Sequence, residues 1–372
     1  MIVSQTLQNR VRNTPCTPEE EPQTSRTQHQ PPAAGSIDLQ RHETHSRLAL
    51  LSRGPRPLTP SVGLIMSASA GHLNTSAVFS PVGVARVCQL TLGCAVVSLV
   101  VHGAGYSAPY GLFCMSAWTS CFAVSVVILV LDVTRLQASL PLSWENLTVA
   151  LASLATLLSL TASVAYPVFF VRADDCPYND CEVRNLRIAV SVCSGAACVS
   201  YGAEVFLSRA GPGRRGSYMA TAPGVLKVAQ IFVGCLIFAL LAAGTDFSRQ
   251  AATLYCVAVF GACLAGSVLL VALVVSGRSA ALRIARMSFE RLAVIQTFVA
   301  VLLYVSSSVL WPVFCFDRKY GAPLRPQGCP RGKCSWDVKL AVAAMSFLNL
   351  TLYIADLVCS HRSRPAEQRS RF

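Results

Sequence analysis

The chain has 372 residues, of which 53% are hydrophobic and only 13% charged, with a formal net charge of +13. Such values, with a positive mean hydropathy, are rare in a soluble domain of this length and argue against a water-soluble protein. The basic excess lies mostly in loops and at the C-terminal end, with a small share in the N-terminal tail, and comes with no nucleic-acid motif, so it favours contact with anionic inner-leaflet lipid over nucleic acid.

Residues 1–79 are rich in Pro, Gln, Ser, Thr and Arg, contain the acidic run Glu19-Glu20-Glu21 and show no apolar period, which reads as a disordered cytoplasmic tail. Leu48-Ala49-Leu50-Leu51 is too short for the core of a signal peptide, so the first span must itself direct insertion. Met66 opens a compact leader before Ser80-Pro81, and the residues ahead of it read as an optional extension. Eight apolar runs follow, near 83–103, 112–131, 147–167, 186–207, 224–243, 252–275, 292–312 and 338–359. Each is about twenty residues long, enough to cross a hydrocarbon core. Residues 364–372 form a basic C-terminal tail.

The runs fall into two copies of one unit. Gly83-Val84-Ala85-Arg86-Val87-Cys88-Gln89 returns as Gly224-Val225-Leu226-Lys227-Val228-Ala229-Gln230, and Leu112-Phe113-Cys114 as Leu254-Tyr255-Cys256. Ser143-Trp144-Glu145 returns as Ser288-Phe289-Glu290, and Tyr166-Pro167-Val168-Phe169 as Trp311-Pro312-Val313-Phe314. Tyr201, Ala203 and Glu204 are matched by Tyr353, Ala355 and Asp356. The repeat divides the chain into a four-span domain over 80–213 and a second over 219–363. An even number of spans per copy makes the copies parallel. Arg209, Arg214, Arg215, Arg278, Arg283, Arg286, Arg362, Arg364, Arg369 and Arg371 share one side, which the positive-inside rule assigns to the cytoplasm together with both termini.

The outer loop after the seventh span breaks that rule with Arg318, Lys319, Arg325, Arg331 and Lys333, and the cysteines arbitrate. Cys176 with Cys181, and Cys329 with Cys334, lie in loops placed outside, where oxidising conditions favour a disulfide within each loop. Zinc is the alternative, and it would require the two pairs to approach each other and stay reduced. Cys359, beside His361 and Arg362 at the inner edge of the last span, suits reversible acylation, with plain packing as the other reading. The sequons at Asn74, Asn146 and Asn349 fall in the tail, at an inner helix start and inside a span, so none is expected to carry glycan.

Polar groups inside the spans are few. Arg86 and Lys227 occupy the first turns of the first and fifth spans, and Glu204 and Asp356 the last turns of the fourth and eighth, all at one depth. Two readings are open: buried ion pairs Arg86 with Glu204 and Lys227 with Asp356, closing first helix onto last, or basic side chains snorkelling while the acids face water. Gln89 and Gln230 follow on the same face as interhelical hydrogen-bonding groups, and Asn349 is a strongly polar mid-span residue whose counterpart is Ala197. Small residues such as Ser194, Cys198 and Gly202 line one face of the fourth span for close packing. Pro167 and Pro312 should kink or end the third and seventh spans. With no catalytic, phosphate-binding or metal-binding motif, neither enzyme activity nor a cofactor is expected.

Four-span units in parallel tandem, with inner termini and a cysteine pair in the last outer loop of each, resemble MARVEL-domain membrane proteins. More narrowly, Trp311-Pro312-Val313-Phe314-Cys315-Phe316-Asp317, Lys319-Tyr320-Gly321, Cys329 to Trp336-Asp337 and Ser217-Tyr218-Met219-Ala220-Thr221 resemble the myeloid-associated differentiation marker family. The resemblance implies an all-α integral membrane protein of eight transmembrane helices in two four-helix bundles. It also implies a non-enzymatic role in ordered, cholesterol-rich plasma-membrane domains, membrane apposition or trafficking. Expected partners are ordered-domain lipids, the anionic inner leaflet and cytoplasmic or membrane proteins, with self-association open. The alternative is an ion or small-solute channel with its path between the bundles or around Asn349.

Overall fold

The structure, a computed structural model, describes residues 74–106, 108–171, 181–210, 217–242, 250–278, 288–329 and 334–369. The expectations for Met66, for the tail before Asn74 and for Cys176 lie outside these residues. The described regular elements are helical: α1 (Thr75–Phe79), α2 (Pro81–Leu99), α3 (Ala108–Thr134), α4 (Trp144–Tyr166), α5 (Glu182–Ala210), α6 (Ala222–Ala242), α7 (Ala251–Val275), α8 (Phe289–Phe316) and α9 (Ser335–Arg369). Eight of them, α2 to α9, are long and apolar enough to cross a membrane.

Local chemistry sets several boundaries. Ser80 caps α2 by accepting from the Gly83 amide, and Pro81 takes the first turn, where its missing N–H costs nothing. The single helical turn α1 stands inside the segment read as the tail, so the tail boundary at residue 79 is corrected: the Asn74 amide donates to the Val133 carbonyl and pins this turn beside α3. At the far end α9 runs on through Arg369, into the segment read as a basic tail, with Pro365 inside the helix. The two matched prolines act differently. Pro167 ends α4 and opens a π-helical turn over Pro167–Val171, whereas Pro312 lies within α8.

In each bundle the first helix packs on the second and the last, and the third packs on the second and the last, which closes a ring of four: α2 to α5, then α6 to α9. Aromatic side chains fill both cores: Trp118, Tyr166 and Phe170 in the first, Phe260, Tyr304, Trp311 and Tyr353 in the second. The outward faces carry exposed apolar residues such as Val199, Phe206, Leu269 and Leu302, as lipid contact requires.

The bundles join through α4, which packs on α6 and α7. Val149, Ala150, Met219, Val228 and Val274 form the joint, with Leu154 and Leu157 against them. Its rim is polar: Asn146 Oδ1 accepts from the Ser217 hydroxyl at 2.9 Å and the Met219 amide at 3.0 Å, and the Ser143 amide donates to the Val275 carbonyl at 2.7 Å. Asn146, read as an idle sequon, ties the linker to the first bundle.

The repeated motif begins with glycine because backbone crosses it. A Cβ on Gly83 would collide with the carbonyls of Ala77 and Val78, and one on Gly224 with the backbone of Tyr218 and Met219. Gly83→Ala and Gly224→Ala are expected to cost about 1–3 kcal/mol each, read as a lower unfolding midpoint in detergent. Gly195→Ala, where nothing stands within 4 Å, should leave the midpoint unchanged or raise it.

Candidate functional site

Near one end of the molecule, where Arg209, Arg278 and Arg362 also lie and which is here the basic end, each bundle holds a buried polar cluster. In the first, Arg86 sits on the second turn of α2 and reaches two acids at once. Its Nε donates to Glu204 Oε1 on α5 at 2.7 Å, and its Nη1 is bonded to Asp132 Oδ2 on α3. Gln89, one turn on, donates to Glu204 Oε2 at 2.8 Å and accepts from Ser125 Oγ, which also meets the Tyr201 hydroxyl at 3.0 Å. Trp144 Nε1 holds the other Asp132 oxygen at 2.8 Å.

The second bundle repeats this plan. Lys227 Nζ lies 3.0 Å from Asp356 Oδ2 and donates to Gln296 Oε1 and Thr297 Oγ1, each at 2.8 Å. Gln230 donates to Asp356 at 3.0 Å, and Ser267 links Gln230 to the Tyr353 hydroxyl. Five positions correspond in the two copies: Arg86 with Lys227, Gln89 with Gln230, Ser125 with Ser267, Tyr201 with Tyr353, and Glu204 with Asp356.

Burial decides between the two readings left open by the sequence. Arg86 is 7% and Lys227 1% exposed, Glu204 3% and Asp356 0%, so neither cation snorkels and neither acid faces water. Charges this far from solvent are tolerable only when paired and hydrogen-bonded. The chemistry left over is small. An ammonium has three protons, and those of Lys227 face three acceptors, Asp356, Gln296 and Thr297, so the amine is not available as a nucleophile. No group of three or more His, Cys, Asp or Glu placed to hold a metal occurs among the described residues.

The other candidate residues are placed as follows. Asn349 donates to the Tyr304 hydroxyl at 2.7 Å, a contact between α9 and α8, while its Oδ1 is buried with no hydrogen-bond partner among the described residues. Cys329 and Cys334 are bonded to each other, with Cα atoms 5.6 Å apart, so neither has a thiolate left for zinc. Cys181 is also in a disulfide, and Cys176 lies outside the described residues. Cys359 is half-buried in α9 near the basic end. On the linker, burial first and the carboxylates of Asp356 and Glu290 next hold the Tyr218 hydroxyl well above its usual range, which keeps it neutral.

Several members of the clusters escaped the sequence reading. Ser125 and Ser267 were within reach, because the register that aligns Cys114 with Cys256 also aligns them. Asp132 was not, since Val274 takes its place in the second copy, and Gln296 and Thr297 answer to Leu151 and Ala152.

Comparison with known proteins bears on the same architecture. The family model described as a membrane-associating domain, MARVEL, matches twice, over residues 77–207 and 218–359. The chain belongs to the MARVEL family. Among MARVEL proteins it is similar to myeloid-associated differentiation marker-like protein 2 of Bos taurus, 50% identical over 295 residues that cover 79% of this chain and 95% of the relative. The Homo sapiens protein of that name is 49% identical over 294 residues, again 79% and 95%. Myeloid-associated differentiation marker of Homo sapiens is 38% identical over 292 residues, 76% of this chain and 88% of that one. No solved structure matches the chain. The chain is thus a multi-pass membrane protein with two MARVEL domains, each holding one polar cluster.

Removing the two acids around Arg86 should not be equivalent. Glu204→Leu strips Arg86 and Gln89 of their shared acceptor and is expected to cost about 3–5 kcal/mol. Asp132→Val, which copies the second bundle, leaves Arg86 on Glu204 and should cost roughly 1–3 kcal/mol. Thermal unfolding of the purified protein in detergent gives the ranking.

Proposed function

We propose that this MARVEL protein is a non-enzymatic organiser of ordered plasma-membrane domains, serving membrane apposition or trafficking, with both termini and the basic end in the cytoplasm. The observation that carries the proposal is α7. Its 25 residues, Ala251–Val275, contain no charged side chain, and at about 1.5 Å per residue they extend roughly 38 Å. That is long enough to cross the ~30 Å of an average hydrocarbon core with some tilt, and it also spans the thicker, sterol-rich plasma membrane.

The disposition of polar groups supports the same reading. The charged pairs of the clusters face one another, and the outer surfaces of the bundles present aliphatic side chains to lipid. The cytoplasmic assignment rests on the arginine-rich ends and on the disulfide between Cys329 and Cys334 at the opposite ends. A solute path between the bundles would have to cross Val149, Leu154, Leu157, Met219 and Val228, and a path around Asn349 meets Tyr304. These surroundings favour adhesion between helices over passage.

In giant vesicles drawn from cells, the tagged protein is expected to concentrate in the ordered phase, and its depletion to lower plasma-membrane lipid order. Residence wholly in the disordered phase, with lipid order unchanged on depletion, contradicts the proposal.

A further inference from the structure

The duplication leaves one helix face with two fates. On α4, Asn146 and Val149 form part of the joint: Asn146 holds the linker, and Val149 is 3% exposed beside Met219 and Val228. The register that pairs Trp144 with Phe289 puts Arg291 and Val294 at these positions on α8. Neither is covered in the same way, for Arg291 is exposed and Val294 half-buried. On α9, the register that pairs Glu204 with Asp356 puts His361 and Arg362 where α5 has Arg209 and Ala210. The open face of the second copy has therefore gained cations where the first copy carries Asn146 and Ala210.

Between α8 and α9 at this end runs a groove of about 370 Å³, lined by Val294, Leu357, Val358, His361 and Arg362. Its walls along the helices are aliphatic and its mouth is basic. Arg291 lies one helical turn before Val294 on the same face of α8. The acids nearby are Glu290, exposed beside Arg291, and Asp356, which Lys227 already engages.

We propose that this groove binds an anionic phospholipid of the cytoplasmic leaflet. Its acyl chain lies along Val294, Leu357 and Val358, and Arg291, His361 and Arg362 hold its net-negative headgroup. Charge selects the occupant: an aliphatic slot open to the bilayer and crowned by cations complements a lipid with a negative headgroup. The inference rests on the proposed cytoplasmic orientation and adds a defined site to it.

The test uses the full chain reconstituted in phosphatidylcholine vesicles containing a minor fraction of phosphatidylserine. Photoactivatable phosphatidylserine and phosphatidylcholine with identical acyl probes are compared in parallel, and cross-linked residues are mapped by mass spectrometry. Phosphatidylserine should label Val294, Leu357 and Val358 in roughly ten-fold excess over phosphatidylcholine, as two or more surface cations imply. Arg291→Gln with Arg362→Gln should abolish the excess while leaving the thermal midpoint in place, both side chains being exposed. Equal labelling by the two lipids, an excess indifferent to the substitutions, or no label in the groove overturns the site. Ordered-phase partition of the same variant, measured alongside, reports on the organiser reading alone. Loss of the excess supports the groove whichever way partition moves.

Discussion

A charge that must be folded into a membrane bundle needs its opposite within hydrogen-bonding reach, and in this protein that requirement joins the first helix of each bundle to the last. Arg86 and Lys227 come from helices that begin a repeat, Glu204 and Asp356 from helices that end one. A four-helix ring whose consecutive members are linked by chain still has one seam with no covalent bridge, between first and last. The buried pairs lie on that seam. Separating α2 from α5, or α6 from α9, would leave an uncompensated charge in a medium that solvates it poorly, which makes the seam selective as well as adhesive.

The copies solve the problem with different chemistry, and the joint explains part of the difference. Arginine offers a planar fork, and Arg86 uses it on two carboxylates, Glu204 and Asp132. Lysine is a point charge with three protons, and Lys227 meets one carboxylate and two neutral oxygens. The position of Asp132 is occupied in the second copy by Val274, which is buried in the apolar joint beside Val149. An acid there would be sealed among aliphatic side chains. Among the described residues the second cluster therefore keeps one acid, Asp356, and α8 supplies Gln296 and Thr297 in place of a second. Duplication set the common plan, and the contact between the two products bent it.

How much of this could be read from residues alone varied with the kind of signal. Eight apolar runs and a repeated Gly-to-Gln motif are long-range patterns, and they gave the two quartets and their family directly. The ion pairs were visible only as one of two options, because depth along a helix is legible in sequence but rotation about its axis is not. Asp132 stayed hidden because it breaks the repeat. The joint stayed hidden for another reason: nothing in Asn146-Leu147-Thr148 announces a side chain that accepts from Ser217 and Met219. The turn α1 is too short to carry a period, and its place depends on a contact with Val133.

The account stands or falls on whether the seam pair is energetically coupled across the fold. A double-mutant cycle on Lys227→Met and Asp356→Leu, with unfolding in detergent as the readout, tests this most directly because among the described residues the lysine has one acid partner. The account predicts that each single change is costly, that the double change recovers much of the loss, and that the coupling energy is at least about 2 kcal/mol. Additive losses with no coupling would contradict it.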